Sequence, residues 1–193
     1  GPQFRLGLFY YEAGRYDDAI ARFQAVARSG GEGGDPESYE NEVRYFVGLV
    51  HVEAGRSDEA LAELEQVPQS SPRFVDARTA MARIWERRKD WPRTQAELRR
   101  AIAATPDNLT LQVYLAGVTQ RSGDLPGAVA IMETLIQANP DKPDLYYDLG
   151  VIHGEAGRGQ VLGEPLRLDV EGDRLAEPGE WELHPTNCSR KRR

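Results

Sequence analysis

Three histidines, one cysteine and scattered carboxylates are the residues of this chain that could hold a metal or relay a proton. Their spacing supports neither task. His51, His153 and His184 stand far apart, Cys188 has no second cysteine, and no HExxH or CxxC spacing occurs. His51 and His153 occupy the same place in a helical pattern that Tyr10 and Trp85 take elsewhere, so both read as packing residues. The stretch GGEGGDP lacks the Lys-Ser/Thr of a phosphate-cradling loop, and its two acids would repel phosphate. Asn108-Leu109-Thr110 and Asn187-Cys188-Ser189 fit glycosylation sequons, a match short enough to arise by chance. The closing RKRR reads as the solvated end of a tail. The expectation is a non-catalytic chain with no metal and no cofactor.

Charge and hydropathy narrow the partners. A formal net charge of -7 disfavours nucleic acid and anionic membranes, which reward positive surfaces. No run approaches the roughly 20 apolar residues of a spanning helix. One cysteine allows no internal disulfide. The chain opens with Gly1-Pro2 directly on a helical pattern, as expected of a fragment of a longer repeat protein. The compartment would be cytoplasmic, or periplasmic if a signal precedes residue 1.

The elements that must position any site are set by a repeat. Gly55, Lys89, Gly123 and Gly157 fall 34 residues apart, and Ala60, Thr94 and Ala128 keep the same step. Gly14 to Gly55 is 41 residues, longer by an insertion over residues 29–38 that is rich in Gly and expected to be a mobile loop. Apolar residues recur at helical spacing within each period, as at Ala19, Phe23 and Val26 or Ala60, Leu64 and Val67. Gly14, Gly55, Gly123 and Gly157 would supply the left-handed conformation that ends a helix. Asp90 and Asp124 are placed to cap the next helix, with Pro92 and Pro126 in its first turn. The predicted helix pairs cover about residues 3–28, 39–67, 73–104 and 108–138, with a lone helix near 142–156.

With its small residues at Gly7, Gly48, Ala82, Ala116 and Gly150, its turn glycines and its closing Pro72, Pro106 and Pro140, the chain resembles the tetratricopeptide repeat family. The resemblance implies an all-α fold, a right-handed α-solenoid of helix-turn-helix repeats over 1–157, and the residues that follow predict an irregular or disordered tail over 158–193. The phrase EAGR at 12–15 and 53–56 leads into a second helix. At 155–158 it is expected to end a helix, because Gly159, Gly163 and Pro165 interrupt the segment after it. Leu166, Leu168 and Val170 alternate as a weak strand signal.

In that family the first helices of the pairs line a concave groove that holds a peptide or a partner helix. The groove positions carried over are Phe4, Leu8 and Tyr11, then Tyr45, Phe46 and Leu49. Thr79, Arg83 and Arg87 come next, then Val113, Tyr114 and Arg121, and last Tyr147, Asp148 and Val151. Some relatives clamp a C-terminal carboxylate, but Phe4 and Leu8 stand at the first-repeat clamp positions. A protein or peptide partner with apolar anchors and one acidic group suits the surface better. The alternative is a structural array that self-associates through uncapped ends.

Overall fold

The structure is a computed structural model that describes residues 1–29 and 36–159. Among these residues the chain forms α1 (Pro2–Glu12), α2 (Tyr16–Arg28), α3 (Pro36–Glu53), α4 (Ser57–Glu65), α5 (Phe74–Arg87), α6 (Trp91–Ala104), α7 (Leu109–Arg121), α8 (Leu125–Ala138) and α9 (Pro143–Gly159). The fold is an all-α helical repeat. Each helix packs chiefly on its neighbours in sequence, as a quasi-one-dimensional array requires. The expected insertion at 29–38 is shorter than its glycines suggested, because α3 already begins at Pro36. Residues 30–35, and the tail and strand signal beyond 159, lie outside the described residues.

Four turns join the helices of a pair, and all four close in one way. The residue in the left-handed conformation donates its N–H to the carbonyl three back, and the next residue donates to the carbonyl five back. The bonds are Gly14 to Tyr11 and Arg15 to Tyr10, Gly55 to Val52 and Arg56 to His51, Lys89 to Glu86 and Asp90 to Trp85, Gly123 to Gln120 and Asp124 to Thr119. Glycine fills three of these turns at φ of 71°, 75° and 93°, whereas Lys89 holds φ 57°. A side chain there costs about 1–2 kcal/mol, so the packing of the flanking helices overrides local preference. Asp90 accepts from the N–H of Arg93 and Asp124 from that of Gly127. Asn108, which the sequence marks only as part of a sequon, caps α7 by accepting from the N–H of Leu111 at 3.2 Å.

The third EAGR corrects an expectation. The α9 helix runs through Glu155-Ala156-Gly157-Arg158 to Gly159, and Gly157 makes no left-handed turn. A glycine inside a helix costs only about 1 kcal/mol, so the phrase permits a stop without compelling one.

Packing within each pair centres on a small residue in the first helix and a bulky one 16 positions later in the second. A Cβ on Gly7 would lie 2.8 Å from the Phe23 ring, and one on Gly48 would lie 2.7 Å from Leu64. Ala82 shares a core cluster with Leu98, and Ala116 with Met132. Thr94, which replaces the packing alanine, is fully buried and donates its hydroxyl to the Asp90 carbonyl at 2.8 Å.

Among the described residues two charged side chains, Arg78 and Glu97, are buried. Arg78 on α5 is 4% exposed. Its Nη1 donates to Glu65 at 2.8 Å and to the buried Glu97 at 3.4 Å, and its Nη2 donates to the carbonyls of Glu65 and Val67. The guanidinium therefore satisfies the end of α4 while pinning α5 to α6. Arg88 to Asp58 and Arg56 to Asp17, by contrast, are exposed links between successive repeats, each 2.7 Å long.

Two substitutions test these contacts by urea denaturation. Gly48→Ala should cost about 1–3 kcal/mol through overpacking against Leu64. Arg78→Ala should cost about 3–5 kcal/mol, because the buried Glu97 is left with the half-exposed Arg100 as its ion-pair partner and the Glu65 and Val67 carbonyls lose their donor, while Arg88→Ala should stay within about 1 kcal/mol.

Candidate protein-binding groove

The first helices of the second, third and fourth pairs, α3, α5 and α7, line a cavity of about 680 Å³. On α5 the lining residues Thr79, Ala80, Arg83, Glu86 and Arg87 form one stripe at helical spacing. Leu49, Val52 and Glu53 face it from α3, and Thr110, Leu111 and Tyr114 from α7. The floor is apolar, made of Leu49, Val52, Ala80 and Leu111, and charges stand above it. A second cavity of about 240 Å³ continues past Tyr114, which lines both, to Arg121, Asp148 and Val151. Each pair turns its second helix away, so the groove is built almost wholly from first helices.

Glu86 organises the electrostatics. Its carboxylate accepts hydrogen bonds from the Tyr114 hydroxyl and from the Arg121 guanidinium, tying α5 to α7. Burial first, then this hydrogen bond and the charge of Glu86, push the Tyr114 phenol up to about 12, against the opposing pull of Arg83 and Arg121. Arg83 and Arg87 are exposed and have no hydrogen-bond or ion-pair partner among the described residues.

The sequence matches the profile described as tetratricopeptide repeat over residues 4–72 and 48–108. The chain belongs to the tetratricopeptide repeat family. A search of curated protein sequences finds no match. Among solved structures, MamA from AMB-1 aligns at 18% identity over 81% of each chain with a TM-score of 0.56. Another MamA crystal structure aligns at 19% identity over 78% of this chain and 84% of that one, with a TM-score of 0.59. A Podosopora anserina protein of nearly identical TPR-like repeats, described as a putative kinesin light chain, aligns at 16% identity over 83% of this chain and 96% of that one, with a TM-score of 0.54. At these identities the likeness speaks for the tetratricopeptide fold alone.

Of the groove positions carried over from the family, Leu49, Thr79, Arg83, Arg87 and Tyr114 meet at the first cavity, and Val113, Arg121, Asp148 and Val151 line the second. Phe4, Leu8, Tyr11 and Phe46 pack against the core of the first pair, where the Phe4 ring lies 5.2 Å from Phe23 and 5.0 Å from Phe46. Tyr45 packs edge-on to Phe46 at 5.3 Å, with the Arg73 guanidinium 5.4 Å above both rings. Tyr147, 74% exposed on α9, lines neither cavity. Val52, Glu53, Ala80, Glu86, Thr110 and Leu111 were missed by the reading of the sequence. Each lies one, three or four positions from a residue it did name, so extending each helical stripe by a turn would have found them. His51 and His153 each leave one buried ring nitrogen without a hydrogen-bond partner among the described residues, and no group of three metal-ligating side chains occurs there. No helix among the described residues is long and apolar enough to cross a membrane.

The raised phenol has a measurable signature. An unfolded tyrosine titrates near about 10, so between there and about 12 the unfolded chain loses its proton first. The stability carried by the protonated phenol is present below that window and is lost as pH rises through it. Glu86→Gln should move the Tyr114 step to lower pH in an ultraviolet tyrosinate titration, and Tyr114→Phe should remove it.

Proposed function

We propose that the chain holds a peptide or helix of a partner protein in the groove between α3, α5 and α7. A tetratricopeptide fold suggests a protein–protein interaction scaffold, and its members are generally non-catalytic. The observation that supports the finer reading is the open cavity itself, with its apolar floor and its unpaired arginines. An apolar floor ringed by charge is the usual ground for anchoring side chains. First helices supply such a floor because the second helices have already consumed the rest of the apolar surface.

A second reading, self-association, draws on α9. There Tyr146, Tyr147 and Val151 are 46%, 74% and 44% exposed, and the space beside Gly150 holds nothing within 4 Å. The equivalent space beside Gly7 and Gly48 is filled by Phe23 and Leu64. Sedimentation velocity across a concentration series separates the two, since a monomer that still binds a partner favours the groove.

The test of the groove is a partner captured by crosslinking and then titrated against purified variants. Leu49→Ala or Val52→Ala should weaken the complex by about 1–2 kcal/mol, roughly five- to thirtyfold, with the folded state retained. Unchanged affinity in both variants would overturn the assignment.

A further inference from the structure

Away from the groove, an ion pair ties each of the first two helix pairs to the next. The second residue of the second helix supplies the carboxylate, Asp17 on α2 and Asp58 on α4, and the turn of the following pair supplies the guanidinium, Arg56 and Arg88. Pro92 holds that carboxylate place on α6, and the turn one pair further on reads Ser122-Gly123-Asp124. Neither Pro92 nor Ser122 can make the bond. The junction opens instead into a cavity of about 460 Å³ lined by Trp91, Pro92, Gln95, Arg99, Ser122 and Asp124, none of which lines the groove.

A second cation is missing from the same place. One repeat earlier, Asp90 pairs with Arg93 at 3.6 Å, and Arg93 and Arg88 lie 4.4 and 5.2 Å from the centre of the Trp85 ring. Thirty-four positions on from Asp90, Arg88 and Arg93 stand Asp124, Ser122 and Gly127. The carboxylate is kept and both neighbouring cations are lost. Asp124 caps α8 through the Gly127 N–H but makes no ion pair among the described residues, and no cation lies over the Trp91 ring there. A carboxylate with spare lone pairs and an indole face in one cavity are the groups that hold a guanidinium, the first by charge-assisted hydrogen bonds and the second by cation–π attraction. Arg99, two helical turns along α6 from Trp91, has its guanidinium on the Gln95 amide oxygen at 3.2 Å and no carboxylate partner. It gives the cavity a positive end, which repels a second cation.

We propose that this junction is a second binding site, independent of the groove, which takes one basic side chain of a partner peptide. The incoming guanidinium or ammonium pairs with the Asp124 carboxylate and lies on the Trp91 ring, in the role that Arg88 and Arg93 fill one repeat earlier. Arginine suits the site better than lysine, because a planar fork stacks on an indole and meets a carboxylate at the same time. The net charge of -7 draws cationic segments toward the chain.

The experiment uses displayed random dodecapeptides, first depleted on a Pro92→Asp/Ser122→Arg variant, in which the missing ion pair is rebuilt, and then panned on the unaltered 193-residue chain. Peptides that use the groove bind both proteins and are removed. The survivors should be enriched in Arg. The tightest, made synthetically, should bind the Asp124→Asn variant at least tenfold more weakly, because asparagine keeps the helix cap and drops the charge. It should also lose affinity as salt is raised, and lose it again when its arginine is replaced by the neutral citrulline. Arg99→Gln and the groove variant Val52→Ala should bind it no less tightly than the unaltered chain does. Circular dichroism melting should be unchanged in Asp124→Asn and Arg99→Gln, whose side chains are exposed. No surviving peptide, survivors without basic residues, or equal affinity for Asp124→Asn overturns the site. Survivors that carry acids and weaken with Arg99→Gln overturn it in favour of an anionic ligand. Survivors that weaken with Val52→Ala alone are groove ligands, which overturns the second site and leaves the groove reading in place.

Discussion

Two helix backbones can approach closely only where one of them carries almost no side chain, and this chain supplies such a place once per repeat. Phe23 lies over Gly7 and Leu64 over Gly48, each filling the volume that a methyl group would need. Alanine serves against Leu98 and Met132. The bulky partner sits on the second helix at a fixed distance along the sequence, so the turn between must have fixed length and geometry. That requirement keeps Lys89 in a conformation that lysine dislikes: the hydrogen bonds of its turn match those of the glycine turns. Without the close approach, the core clusters would separate into single helices, none of which buries its apolar face alone.

The groove is a by-product of the same geometry. Once second helices cover one side of the first helices, the other side is left to line a continuous surface, and its side chains are released from packing. What distinguishes this surface is where its charges have been spent. Glu86 serves α7, the buried Arg78 serves α4 and α6, and the exposed arginines at the turns serve neighbouring repeats. Arg83 and Arg87 are left over on the groove wall. Their availability is a consequence of cross-repeat pairing rather than of any local feature of α5.

Much of the fold was legible because it obeys local rules. The 34-residue step, the turn glycines, and the caps at Asp90 and Asp124 each arise from residue types at a fixed spacing. The failures were of other kinds. Gly157 looks like Gly14 and Gly55, yet it lies inside α9, where a glycine costs only about 1 kcal/mol. Phe4 and Phe46 sit at positions that line a groove in relatives, yet an aromatic ring at helical spacing reaches a neighbour's core as readily. Here both join Phe23. Pairings such as Arg88 with Asp58 or Arg121 with Glu86 span 30 and 35 positions, and no periodicity announces which charge will be claimed.

Because every helix leans on its neighbours in sequence, tension applied to the ends would be borne in series, like load along a chain of links. The links are unequal. At the middle, the buried Arg78 guanidinium clasps two carboxylates and two carbonyls contributed by α4, the segment that follows it and α6. The outer junctions rest on van der Waals contact and on charge pairs open to water. The array is therefore mechanically a rigid hub with two compliant arms, and the groove wall formed by α5 belongs to the hub. Bending of the arms would change how wide the cleft gapes while leaving the spacing between Arg83 and Arg87 untouched.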